Sequence, residues 1–270
     1  MISFMKTILL FLFVLFSSTM GSAQTLDNLN KQINEMLQHG DYQQALPLAE
    51  KAADLAKAKY GEQSERYAQN LLLLANVYNK NRPNSKPEPF YLRALEIIKA
   101  VNPDMQVVHV PYLLGLAAYY VDTRQFEKAE PLYPVAANIL DRAGLGNSSL
   151  YATLLSGRGN LLYQQGSYTE AEPLFIKAIE IEKKGKRESS HDYAIYTGML
   201  GDIYTREGNF DKAEILLMES MSLRKTLYGD QHLEFGNAVL RLAEFYGEVG
   251  QFQKGLELFI QAIDILREAL

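Results

Sequence analysis

The sequence predicts an all-α fold, a solenoid of about six antiparallel helical hairpins. Two observations support this prediction. First, nearly the same segment occurs three times at an interval of 42 residues: "GSYTEAEPLFIKAIEIEKK" begins at Gly166, "GNFDKAEILLMESMSLRKT" at Gly208 and "GQFQKGLELFIQAIDILRE" at Gly250. Second, apolar residues within each segment recur every three or four positions, which places them on one face of a helix. A fixed period of this length is typical of helical repeat proteins.

An aromatic residue two positions after the turn glycine marks the repeat along the rest of the chain. The marked positions are Tyr42, Phe126, Tyr168, Phe210 and Phe252. The first gap is twice the 42-residue period, so it predicts one more copy centred on Asn84, where "NSKPEPFYLRALEIIKA" is a degenerate version of the segment. Six copies are therefore predicted in one register, near 25–60, 61–102, 103–144, 145–186, 187–228 and 229–270.

Each copy is predicted to contain two helices, A and B. Helix A is expected near 26–38, 63–79, 105–121, 147–164, 189–206 and 231–248. Helix B is expected near 42–58, 86–100, 126–142, 168–184, 210–226 and 252–268. The turn before helix B should take a left-handed conformation at Gly40, Gly166, Gly208 and Gly250. Helix A should approach its neighbours closely at the small residues Ala75, Ala117, Gly159, Gly201 and Ala243. The first turn of helix B, where a missing N–H costs least, contains Pro47, Pro89, Pro131 and Pro173.

The first residues predict a cleaved leader. "MISFMKTILLFLFVLFSSTMGSAQ" has one basic residue, Lys6, followed by an apolar run from Ile8 to Phe16 and small residues up to Ala23. This pattern is typical of a signal peptide spanning 1–23 with cleavage near Ala23. An uncleaved anchor is the alternative, but the apolar run is short for a membrane span. The mature chain, 24–270, is therefore expected to be exported, periplasmic or secreted, with no membrane span.

The composition and motifs argue against a catalytic activity or a metal site in this protein. The net charge is −5, so no basic face for nucleic acid is implied. Cysteine is absent, which removes disulfides and thiolate metal sites, and the four histidines lack the spacing of a helical metal site. We therefore expect no catalytic residue, no cofactor and no metal, and we expect that the protein is not an enzyme. The outer, solvated face of a helix B is expected to contain Glu170, Glu172, Glu180 and Glu182.

The segments "GSYTEAEPLFIKAIEI", "RQFEKAEPLYPVAANI" and "LYGDQHLEFGNAVLRLAEFY" resemble the tetratricopeptide repeat, in its 42-residue kinesin light chain subtype. The resemblance implies a right-handed superhelix with helix A on the concave side, where a peptide or partner protein binds. That subtype typically reads "LNNLA" in helix A, and its asparagines can clamp a peptide backbone. This chain has no such asparagine ladder, so the clamp is not implied here. The matching segments read "LLLLA" (71–75), "LLGLA" (113–117), "LSGRG" (155–159), "TGMLG" (197–201) and "VLRLA" (239–243).

The residues of helix A that lie between the core positions are the candidate partner-binding groove. The candidates are Gln69, Leu72, Leu73, Asn76, Leu114, Asn160, Met199, Asp202, Arg206, Asn237, Arg241 and Glu244. One end is apolar and the other polar, so an amphipathic ligand is predicted, with its apolar part near Leu72 and Leu114. The alternative is that the leucines pack against the next helix and the polar residues are merely solvated.

These observations predict a non-enzymatic, exported scaffold for protein or peptide partners. The alternative is the N-terminal recognition region of a longer signalling protein or of a caspase-like, CHAT-type protease. The last helix B, 252–268, is expected to leave Phe259, Ile263 and Leu266 uncovered on one flank. Three explanations stay open for such an apolar flank: a homodimer through this helix, further polypeptide beyond it, or simple tolerance.

Overall fold

The computed structural model describes residues 25–38, 40–81 and 86–269, and all regular elements within these ranges are helices. The predicted all-α class is confirmed. The leader predicted at 1–23 lies outside the described residues, as does part of the segment around Asn84. Within the described ranges, no helix has both the length and the apolar character that crossing a bilayer requires.

The chain divides after Val101 into two compact units. The described part of the first unit contains the helices α1 (25–38), α2 (Tyr42–Tyr60), α3 (Glu65–Lys80) and α4 (Glu88–Val101). Its core is built where α1 and α2 bury Leu26, Ile33 and the alanines of α2 against Leu74 of α3. The two predicted hairpins of this unit are therefore observed.

The second unit, Asn102–Leu270, contains the other copies. A short 3₁₀ turn, Val107–His109, leads into α5 (Val110–Asp122). The helices that follow are α6 (Phe126–Ala129), α7 (Leu132–Arg142), α8 (Ser149–Gln164), α9 (Tyr168–Lys184), α10 (His191–Arg206), α11 (Phe210–Tyr228), α12 (Leu233–Glu248) and α13 (Phe252–Ala269). Helix A of each copy packs on its own helix B in the pairs α8–α9, α10–α11 and α12–α13. These bounds lie within a few residues of the predicted ones.

The third helix B differs from the prediction, because it is broken into α6 and α7. A turn at Glu130 and Pro131 separates the two pieces. Pro47 and Pro173 occupy the same place in α2 and α9, yet those helices continue through them. The third copy has a second proline, Pro134, three residues later. Two backbone N–H groups are thus missing within one helical turn, and the helical hydrogen bonding does not continue across both prolines.

The turns and helix starts repeat along with the helices. The four predicted turn glycines have φ between +75° and +82°, which confirms the left-handed conformation expected there. Arg124 takes the corresponding place in the third copy with φ of 58°. In four copies, helix A begins with a side chain that caps an N–H of the first turn, at positions separated by 42 residues or by twice that number. These caps are Ser64, Ser148, Ser190 and His232. The capping position is a further regularity of the repeat.

Close contact inside the hairpins confirms the role predicted for the small residues at two positions. A Cβ added to Gly159 would lie 2.7 Å from Cε2 of Phe175, and one added to Gly201 would lie 2.8 Å from Cγ of Leu217. Phe175 and Leu217 are fully or almost fully buried. Each large helix B residue therefore occupies the space that the missing side chain on helix A leaves open.

Glu182 does not lie on a solvated face as expected, because its side chain is only 1% exposed. Arg187 Nε donates to its carboxylate at 2.8 Å, and Ser149 Oγ of α8 donates at 2.9 Å. The hydrogen bond to Glu182 also raises the pKa of Arg187. The same position one copy later is Arg224, which is likewise buried and paired with Glu234 at 2.8 Å. In the earlier copies the position is apolar, Leu140 and Ile98, both fully buried.

Candidate functional site

Four of the predicted groove residues meet on the helix A side of the second unit, where α10 lies against α12. Arg241 Nη1 of α12 donates to Asp202 Oδ2 of α10, and it also lies 3.6 Å from the sulfur of Met199. One helical turn further along α10, Arg206 pairs with Glu248 of α12 at 2.8 Å. We call these five residues, Met199, Asp202, Arg206, Arg241 and Glu248, the paired-charge face.

A third helix joins this face through a tyrosine. Arg206 hydrogen-bonds the hydroxyl of Tyr163 on α8, and this bond raises the pKa of Arg206. Side chains of α8, α10 and α12, which are helices A of three successive copies, are thus connected in one polar network. Because each arginine is held by a carboxylate on a different helix, its guanidinium has a fixed position. The guanidinium side chains nevertheless keep surface toward solvent, 34% for Arg241 and 46% for Arg206.

Burial sets the electrostatics of this face at Asp202. The carboxyl is largely enclosed between the helices, and this burial raises its pKa to about 6. Arg241 and Arg206 act in the opposite direction, whereas the nearby carboxylate of Glu244 adds to the rise. Asp202 therefore takes up its proton at a much higher pH than an exposed aspartate does.

This raised pKa predicts a pH dependence of folding. The folded state binds the Asp202 proton more tightly than the unfolded chain, so the contribution of Asp202 is most favourable near pH 4 and is lost as the pH rises through about 6. In Asp202→Asn the free energy of unfolding should lose this part of its pH dependence, on the order of 2 kcal/mol between pH 4 and pH 7. Urea unfolding at several pH values measures this pH dependence of the free energy of unfolding. Asp264→Asn, at a more exposed site, is the control, and a wild-type pH profile in Asp202→Asn would contradict the assignment.

Of the other predicted groove residues in the second unit, Glu244 acts on this face through its charge near Asp202. In the second unit, Leu114 is buried, with 9% exposure, Asn160 and Asn237 are half-buried, and Glu244 is exposed. Leu114 therefore offers little surface, which favours the packing alternative for that residue.

The remaining candidates belong to the first unit. Gln69 is exposed and donates to Glu65, while Asn76 accepts a hydrogen bond from the hydroxyl of Tyr91 at 2.8 Å. Leu72 and Leu73 are half-buried, and Leu73 packs on the first unit's core. An amphipathic ligand with its apolar part near Leu72 and Leu114 stays a prediction.

Two members of the polar network were not among the predicted residues. Tyr163 is one, and Glu248 is the other. Glu248 follows Arg206 by one 42-residue period, so the two occupy the same position in neighbouring helices A. Opposite charges at a shared position of adjacent copies are the signal that could have found this pair. Within the described ranges, no group of histidine and acidic side chains is arranged to hold a metal ion.

The fold and this face define an α-helical repeat protein with a polar surface along the helices A of successive copies. A family model described as tetratricopeptide repeat matches residues 109–184 and 150–226. No curated protein sequence matches the chain. Residues 109–226 of the chain thus match the tetratricopeptide repeat family.

Solved structures of low sequence identity share its fold. BtubC (BKLC) from P. vanneervenii is 21% identical, covers 88% of this chain and 90% of its own, and has a TM-score of 0.61. A putative kinesin light chain from Podosopora anserina, with nearly identical TPR-like repeats, is 19% identical over 73% of this chain and 93% of its own, with a TM-score of 0.57. A Rap protein complexed with competence and sporulation factor is 16% identical over 89% of this chain and 74% of its own, with a TM-score of 0.64. The fold is therefore shared with repeat proteins of the kinesin light chain type.

Proposed function

We propose that this protein is a non-enzymatic scaffold that binds a peptide or a partner protein on the paired-charge face. The observation that supports the proposal is that Arg206 and Arg241 are held in place by ion pairs between helices and yet stay partly exposed. A guanidinium fixed in this way loses little freedom when it donates a further hydrogen bond to a ligand. Met199, 3.6 Å from Arg241, adds a polarisable apolar surface beside the charges.

A structural relative supports the same kind of function. The Rap protein that shares the fold was solved in complex with competence and sporulation factor, so that protein holds a ligand on a fold of this kind. The leader predicted at 1–23 supports export of the scaffold to the periplasm or beyond. Intact mass of the protein from the exported fraction tests this part, because a chain that begins at Gln24 has lost the leader.

The binding proposal is tested with peptides selected from a random displayed library on the wild-type protein. We expect Arg206→Ala combined with Arg241→Ala to weaken the selected peptides at least tenfold in calorimetric titrations, because each lost guanidinium removes about 1 kcal/mol or more of hydrogen bonding. Arg267→Ala on α13, whose side chain is 76% exposed, is the matched control and should change nothing. Equal affinity of the double variant and the wild type would disprove binding at this face.

A second proposal concerns the last helix. Exposure was predicted at Phe259, Ile263 and Leu266, but Phe259 and Leu266 are half-buried in the structure. The exposed stripe is instead formed by Phe252, Leu256, Ile260 and Ile263, which are 73%, 56%, 53% and 53% exposed. We propose that this stripe is an interface, either with a second copy or with the rest of a longer signalling or protease protein. Sedimentation of the wild type and of Leu256→Ser distinguishes self-association from a monomer.

A further inference from the structure

The helix B side of the second unit has a row of apolar residues that meets the stripe of the last helix at Ile260. Pro134, Ile176, Met218 and Ile260 follow one another at the 42-residue period, so they occupy the same place on α7, α9, α11 and α13. Pro134 is exposed, Ile176 is half-buried, and Met218 and Ile260 are 47% and 53% exposed. We call these four residues the outer apolar column.

The position of the outer apolar column explains why it is not core. The residue just before each member on the first three helices, Tyr133, Phe175 and Leu217, is almost fully buried. Adjacent residues on a helix point about 100° apart, so the column points away from the partner helix A. Ile215, one turn before Met218, is 66% exposed and widens the apolar surface. Single exposed apolar residues are ordinary, but an apolar residue at the same position in four successive copies, exposed in three of them, marks an interaction surface.

Acidic groups line a groove beside the end of this column. The groove has a volume of about 460 Å³ and borders Ile260. Glu257, Asp264 and Glu268 of α13 line it, together with Asp230, while Lys225 is the single basic residue in its lining. The three α13 carboxylates lie on one side of that helix, next to Ile260. The apolar surface is thus flanked by negative charge.

We propose that the outer apolar column binds an amphipathic helix whose apolar stripe is flanked by lysine or arginine. The apolar stripe would cover Met218 and Ile260, and a basic side chain would enter the acidic groove. An anionic membrane surface is disfavoured by the same charges.

The dimensions of the fold set the length of the partner. Helices B of successive copies have a helix A packed between them, as α12 is between α11 and α13, so they lie farther apart than two helices in direct contact, which are about 8–10 Å apart. A helix of 18 residues is about 27 Å long, enough to extend from α11 to α13. The probe is therefore a synthetic 18-residue peptide of leucine and lysine, patterned to form an amphipathic helix. A scrambled peptide with the same composition and charge is its counterpart.

Binding of the two peptides is measured by fluorescence anisotropy with the whole protein. We expect the patterned peptide to bind at least tenfold more tightly than the scrambled one. Met218→Ser combined with Ile260→Ser should weaken it at least tenfold, whereas Leu227→Ser, at a residue of α11 that is 39% exposed and outside the column, should not. Should the double serine variant lose helicity, Glu257→Gln with Asp264→Asn is measured instead, and it should weaken the peptide and reduce the dependence of binding on salt.

Three results would overturn the proposal. Equal binding of both peptides would mean that charge alone attracts them, and an unchanged Kd in the variants would place binding elsewhere. Binding of phosphatidylglycerol vesicles that depends on Met218 and Ile260 would assign the column to a membrane instead. The variant with Arg206→Ala and Arg241→Ala should keep full affinity for the patterned peptide, so this inference and the proposed function succeed or fail separately.

Discussion

Phe175→Ala is expected to lower the free energy of unfolding by about 3–5 kcal/mol, a large part of the stability of an ordinary domain. Phe175 is completely buried, and its ring lies in the space beside Gly159 where no side chain stands on the opposing helix. Removing the ring leaves a cavity between α8 and α9. No side chain of α8 fills it at this point, because the residue that faces the ring is Gly159. Urea unfolding followed by circular dichroism measures the loss.

Two companion variants make this test specific. Phe175→Leu should lose less than half as much, since Leu217 makes the equivalent contact with Gly201 one copy later. Phe252→Ala, at a phenylalanine that is 73% exposed, should change stability by less than about 0.5 kcal/mol. Similar losses for the alanine variants of Phe175 and Phe252 would show that the contact with Gly159 does not hold the hairpin together.

Arg187→Ala is expected to lower the free energy of unfolding, because it leaves the buried carboxylate of Glu182 without its charged partner. Ser149 alone then donates to that carboxylate. Glu182→Leu should be tolerated, within about 1 kcal/mol of the wild type, since Leu140 fills the same position in the preceding copy while fully buried. Thermal and urea unfolding of the two single variants and of the double variant measure both effects.

The double variant decides whether the pair itself matters. In the Glu182→Leu background, Arg187→Ala should cost little, because no buried charge is left unpaired. An equal loss of stability in both backgrounds would mean that Arg187 stabilises the chain in another way. Lys57→Ala is the reference for an exposed pair, since Lys57 and Glu62 are both about half exposed at 2.7 Å, and it should change the free energy of unfolding far less.

The hairpins could be predicted from the sequence because every copy repeats the same apolar spacing and the same turn. The break between α6 and α7 could not be predicted from one aligned proline, since Pro47 and Pro173 are accommodated inside helices. It depends on Pro131 and Pro134 together. The burial of Glu182 was missed because a glutamate in a lysine-rich helix end is usually solvated. Its alignment with Leu140 in the preceding copy was the available signal.

The candidate site was predicted in part. Four predicted residues meet because they lie on helices A of adjacent copies, at similar positions along those helices. They are Met199, Asp202, Arg206 and Arg241. Leu114 was grouped with them by its position in the repeat, but its 9% exposure depends on how neighbouring helices cover it. Position within a repeat therefore identifies the side of a helix, whereas exposure and pairing depend on the side chains of the adjoining copies.

The buried charges also limit how this gene can change its number of copies. The copies share one period, so removing 42 residues keeps every later helix in register. A deletion of residues 188–229 would nevertheless place Glu182 where Arg224 stands now, against the carboxylate of Glu234. Two carboxylates would then share a largely buried site that now holds an ion pair. Copies of the same length are thus not interchangeable, because this deletion would leave Arg187, the partner of Glu182, as the cation beside two carboxylates.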